Sequence, residues 1–194
     1  MSDPSQTPDS RIQAFRTKAQ IMLEKWRSNQ ISFEDAREQL DDMLQEAIEA
    51  NLPANQVVVH NLYGIMHYSR SELDAALNAF QTSRQLAESI DYKAGMLSSD
   101  QNIGDIERLK GNFSRALVHF QRAVRLAEEL DHQPVQAAAL FNLAQVWQSL
   151  DKNADAARYM NDAMAIMRQP WEEPEPAHVY NERMRHQCEA YHVL

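Results

Sequence analysis

Residues 101–130 read QNIGDIERLKGNFSRALVHFQRAVRLAEEL. Gly104, Ala116, Phe120, Ala123 and Leu126 stand at fixed offsets in this stretch, and each has a counterpart 40 residues away on both sides. Earlier in the chain these are Gly64, Ala76, Phe80, Ser83 and Leu86; later they are Ala144, Ala156, Met160, Ala163 and Ile166. The step reaches back to Ala36 and Leu40, and Asp91 and Asp131 also keep it. A fixed period of this length marks a solenoid, in which each repeat buries its apolar face only against its neighbours.

The composition agrees. Of 194 residues, 44% are apolar and only 4 are glycine, in a chain rich in Ala, Leu, Gln, Glu and Arg, which favour helix. No window alternates with period two for long enough to make a strand. Within residues 11–29, Ile12, Phe15, Ala19, Met22, Leu23 and Trp26 fall at spacings of three and four, the stripe of an amphipathic helix. A second helix follows to about Ala50, with Ser32 and Asp35 placed as a capping box at its start. Three more pairs are expected over 54–90, 92–130 and 134–168, with internal turns at 69–71, 110–113 and 151–153. Ser71 with Asp74 reads as another N-cap pair, and Gly111 suits a helix end. Residues 1–10 are expected to form a polar, disordered tail, and 169–176 (QPWEEPEP) an acidic, proline-stiffened loop. Residues 177–194 read as a capping helix, or as the start of a further repeat, with Val179, Met184, Cys188 and Tyr191 available for one face.

The net charge of −9 argues against general binding of phosphate backbones. Cys188 is the sole cysteine, so no disulfide forms within the chain. No apolar run approaches the roughly 20 residues of a membrane span, and residues 1–10 lack the basic start and apolar core of a signal peptide. A cytoplasmic protein is the expectation. Nothing in the pattern calls for a cofactor or supports catalysis. There is no glycine-rich phosphate loop, no G-x-S-x-G and no H-E-x-x-H. His186, Cys188 and His192 are close in sequence, but on a helix only 188 and 192 share a face, too few ligands for a metal.

The small residue on each first helix, the small residue on each second helix, and the large apolar residue one turn later resemble the tetratricopeptide repeat superfamily. The pairs are Gly64 with Ala76, Gly104 with Ala116, and Ala144 with Ala156, followed by Phe80, Phe120 and Met160. HEAT and armadillo repeats share the period but not this pairing. The 40-residue length, longer than the standard repeat of about 34, is similar to the Leu-Gly-Asn adaptors and to bacterial tetratricopeptide regulators. Asn102-Ile103-Gly104-Asp105 and Asn142-Leu143-Ala144-Gln145 match the first three positions of the Asn-Leu-Gly-Asn core. Glu24 stands where the first unit should have its small residue, so residues 11–51 resemble a degenerate first pair.

The resemblance implies an all-α, right-handed α-solenoid of antiparallel helix pairs, whose first helices line a concave groove for a partner's peptide or helix. Carried over by register, the groove residues are Asn61, Ile65, Tyr68, Gln101, Asn102, Asp105, Arg108, Phe141, Asn142, Gln145 and Gln148. Asn and Gln can satisfy a peptide backbone, and Arg108 a carboxylate. Two alternatives stay open for some of them. Asn102 and Asn142 either meet a ligand or bond neighbouring helices, and Tyr68 and Phe141 belong either to the groove or to the core. The implied function is a protein-interaction scaffold without enzymatic activity. A sensor whose solenoid changes shape on binding a peptide or small ligand, and a protein that self-assembles through its C-terminal end, are the alternatives.

Overall fold

The computed structural model describes residues 8–168, with side chains from residue 14 onward. It is an all-α array with no strand among the described residues. The helices are α1 (Pro8–Arg27), α2 (Phe33–Glu49), α3 (Pro53–Ser69), α4 (Leu73–Ser89), α5 (Lys93–Leu109), α6 (Phe113–Glu129), α7 (Gln133–Ser149) and α8 (Asn153–Met167). Helix α1 opens inside the stretch read as a polar tail. The expectations for 169–176 and 177–194 lie outside the described residues.

A beat shorter than the sequence period organises the array. From α3 onward the helices begin at 53, 73, 93, 113, 133 and 153, one every twenty residues. Three residues join each to the next, and the middle one is always left-handed: Asn51, Ser71, Asp91, Gly111, Asp131 and Asp151, with φ between 50° and 74°. Asn, Asp and Gly enter this region at the lowest cost. The next residue sends its amide back to a carbonyl five positions earlier: Leu52 to Ala47, Glu72 to His67, Tyr92 to Ala87, Asn112 to Glu107, His132 to Ala127 and Lys152 to Trp147, all at 2.8–3.0 Å. These Schellman closures satisfy carbonyls that a helix end otherwise leaves orphaned. Ser71 is therefore not an N-cap. Glu72 holds that position with no side-chain cap, because Ser71 is committed to the left-handed turn. Ser32 does cap α2: its Oγ accepts from the Asp35 amide at 3.0 Å, while Asp35 accepts from the Ser32 amide at 3.1 Å.

Packing between helices is sequential. Each helix packs on the next, and α3 also meets α5, as α5 meets α7, while α4, α6 and α8 stay apart from one another. The array therefore curves toward the first helices, which form its inner wall. Phe80 and Phe120, 2% and 0% exposed, anchor the second and third pairs. The residue opposite them is glycine for a concrete reason. A Cβ at Gly104 would lie 2.7 Å from the Phe120 ring, and one at Gly64 would press equally into Phe80. The small residue seats the ring, beyond letting two backbones approach. In the fourth pair Ala144 takes the glycine position and a flexible methionine, Met160, the Phe position. In the first pair Phe15, Ala19, Met22 and Leu23 of α1 share a core with Ala36, Leu40, Met43 and Ala47 of α2 and Val59, Leu62 and Met66 of α3.

Candidate functional site

The inner wall carries a stripe at helical spacing on α5: Ser98, Gln101, Asp105 and Arg108. Asp105 Oδ1 lies 3.5 Å from Arg108 Nη2, and both charges act on Tyr68 of α3. Burial pushes the Tyr68 phenol up, with Asp105 adding to the shift and Arg108 opposing it. Ile65 and Tyr68 rest on the cluster of Ala76, Phe80, Ile103 and Ile106, so they serve core and groove together. On α7, Phe141 is 42% exposed, Gln145 is half-buried and Gln148 is exposed. Asn61, Gln101 and Asn142 are buried, and Asn102 is half-buried. Asn142, with its Nδ2 lacking a partner among the described residues, belongs to the layer where helices pack rather than to open groove surface.

Arg108 and Asp105 carry the charge of this wall. Arg108 Nε is buried with no hydrogen-bond partner among the described residues, so a donor on the inner wall awaits an acceptor. Burial raises the Asp105 carboxyl to about 6, against the pull of Arg108, which lowers it. Its folded pKa thus lies above the unfolded value of 3.8. The folded state holds this proton more tightly, so stability from Asp105 is greatest below 3.8 and is lost as pH rises through about 6. Asp105→Asn removes that dependence. The unfolding free energy of the variant, read by urea denaturation, should exceed that of wild type at pH 7.5 by about 1–2 kcal/mol, and the gap should close by pH 4. A gap that widens as pH falls would refute the assignment.

Sequence reasoning missed a buried polar network. Asp100 of α5, 0% exposed, accepts from Arg84 Nε of α4 at 2.9 Å, and His119 Nδ1 of α6 lies 2.7 Å from the same oxygen. Beside it Ser99 Oγ donates to Ser83 Oγ, and Ser83 donates to the Val57 carbonyl, each at 3.0 Å. The available signal was the 40-residue series itself, which places Asp100 between His60 and Leu140. A second pattern straps the joint inside a pair: His67 Nδ1 meets Glu72 at 2.6 Å, and Asn112 Nδ2 donates to Glu107 at 2.7 Å, one period on.

No group of three or more metal-ligating side chains occurs among the described residues. His186, Cys188 and His192 lie outside them. No described helix is long and apolar enough to cross a membrane.

Solved structures share the architecture. The chain is similar to BtubC from P. vanneervenii (TM-score 0.68, 17% identity, 90% of this chain and 71% of that one). It is similar also to the TPR domain of Arabidopsis FLU (TM-score 0.56, 13% identity, 59% and 97%). The N-terminal domain of stress-induced protein-1 from C. elegans gives a TM-score of 0.54 at 13% identity, over 61% of this chain and 90% of that one. At such identities the likeness concerns the fold alone. No curated protein matches the chain in sequence. The sequence profile of the tetratricopeptide repeat matches residues 54–129 and 92–169, more than half of the chain. With the helix pairs, the seated phenylalanines and the curved inner wall, this settles its membership: the chain belongs to the tetratricopeptide repeat family.

Proposed function

We propose that this protein is a non-enzymatic interaction scaffold whose inner wall captures an extended or helical segment of another protein. The observation that carries the reading is the pairing of a buried, unsatisfied donor, Arg108 Nε, with exposed aromatic surface at Phe141. A carboxylate or carbonyl of the partner would complete the first, and an apolar side chain would cover the second. A groove built on packed helices is pre-formed, so capture costs the scaffold little ordering.

The test is a pull-down from source-cell lysate, with captured proteins identified and their affinities measured against wild type and Arg108→Ala/Phe141→Ala. The double variant should weaken the specific partner about 30-fold or more, since a well-placed anchor contributes about 2 kcal/mol, while helicity at the assay temperature holds. Equal capture by both proteins would move the binding surface off the inner wall.

A further inference from the structure

The second helix of each pair lies on the outer side of the array, and the 40-residue register puts matching positions on each outer face. The charge at those positions changes along the chain. At one of them stand Asp42 on α2, Thr82 on α4 and Arg122 on α6. One turn earlier stand Glu38, Asn78 and Val118, and on α6 Arg125 follows three residues later. Thr82 and Arg122 are half-buried, and the others are exposed. Helix α2 carries seven acidic side chains against Arg37 alone, whereas α6 has no acid before Glu128. Among the described residues Arg122 and Arg125 form no ion pair or hydrogen bond, and neither do Glu38 and Asp42. In a chain with 28 Asp and Glu against 19 Lys and Arg, two neighbouring arginines without an acid leave room for one from outside.

We propose that the outer face docks on a second copy of this chain across a twofold axis beside Thr82, α2 of each copy lying antiparallel to α6 of the other. Both halves of the complementary charge are then supplied by one sequence. Helix α4 comes midway between α2 and α6, so a twofold at α4 brings α2 onto the other copy's α6 and reverses its direction. Such a contact is isologous and closes after two copies. With Thr82 at the axis, the antiparallel register sets Asp42 opposite Arg122 of the second copy and Glu38 opposite Arg125. The shape of the face suits this. The array curves toward its first helices, so two outer faces touch at α4 and diverge on either side. Ala75, Asn78 and Thr82 are short and let the two α4 helices approach, while the long arginines span the wider gap and meet carboxylates with a planar fork. Val118, 45% exposed among the arginines, is covered in the same contact. Repulsion between two chains of charge −9 does not forbid it, since salt at 0.15 M screens exposed charges beyond about 8 Å. The proposal is independent of the groove reading, because it leaves the inner wall free.

Sedimentation velocity of the full chain over a protein dilution series tests it. Wild type should pass from monomer to dimer between about 1 µM and about 300 µM, the range of a weak contact. Arg122→Glu/Arg125→Glu, and separately Glu38→Arg/Asp42→Arg, should each weaken association at least about tenfold. The four changes in one chain leave the net charge at −9 and should restore the dimer. An equimolar mixture of the two double variants should also dimerise, although neither does alone. That mixture decides the matter if the fourfold variant loses helicity by circular dichroism. Wild type that stays monomeric at about 300 µM would overturn the proposal and leave the arginine row to an acidic segment of another protein. A dimer that survives either double reversal would overturn it as well. So would a loss that neither the fourfold variant nor the mixture rescues, because the two rows would then not face each other.

Discussion

Phe120→Ala should lower the stability of the array by about 3–5 kcal/mol, and Phe80→Ala should behave alike. Both rings are almost wholly buried, and each is held against a glycine that leaves no space for a Cβ. Removing the ring leaves a cavity that the neighbouring backbone cannot close, because α5 and α6 are each fixed by two joints. Met160→Ala is the internal control. It occupies the same register on α8 but is only half-buried, and should cost about 1 kcal/mol. Urea denaturation followed by circular dichroism reads all three. Equal losses for Phe120→Ala and Met160→Ala would show that the glycine-seated ring has no special place in the packing. Refilling the Phe120→Ala cavity by Gly104→Ala should restore little, since one methyl replaces a small part of a phenyl ring.

Asp100→Ala should be comparably damaging, at about 3 kcal/mol or more, for an electrostatic reason. The carboxylate is 0% exposed, and it is the shared acceptor of Arg84 and His119, each 19% exposed. Deleting it leaves the Arg84 guanidinium, partly out of water, with only the exposed Glu88 carboxylate at 2.9 Å as counter-charge, and removes the acceptor of His119. The next repeat shows the alternative: Leu140 stands at the Asp100 position and Val124 at the Arg84 position. Asp100→Leu/Arg84→Val copies that apolar solution and should recover most of the loss, since well-packed apolar residues replace a buried ion pair at little cost. A double variant as unstable as Asp100→Ala would mean that the polar network contributes more than its mutual compensation. The single and double variants, measured at pH 7.5 in the same denaturant series, decide it.

The period, the helix pairs and the inner wall were legible because they rest on side-chain size, which repeats visibly: Gly64 and Gly104, Phe80 and Phe120, Ala76 and Ala116. The twenty-residue beat was not, because backbone conformation sets it and six different positions meet the requirement with four residue types, Asn, Ser, Asp and Gly. Ser71 shows the difficulty. Ser71 and Asp74 have the same spacing as Ser32 and Asp35, and only the second pair caps a helix. The choice depends on which residue takes the left-handed turn, and no local pattern states it. Asp100 escaped notice because it lies inside the polar run Ser98-Ser99-Asp100-Gln101-Asn102, which resembles a solvated face until the helices close over it. The groove was placed by register alone, and register cannot separate Phe141, which is exposed, from Asn142 beside it, which is buried. One residue along a helix is a rotation of about 100°.

The left-handed residue at each joint has a mechanical side. From α2 onward every hinge is closed by the same bond between the same two positions. Hinges of one kind in series share a load equally, so the array flexes along its whole length like a coil spring, with no single elbow between rigid blocks. On the proposed reading, a partner seated against one part of the inner wall would change the pitch of the rest by small, even steps.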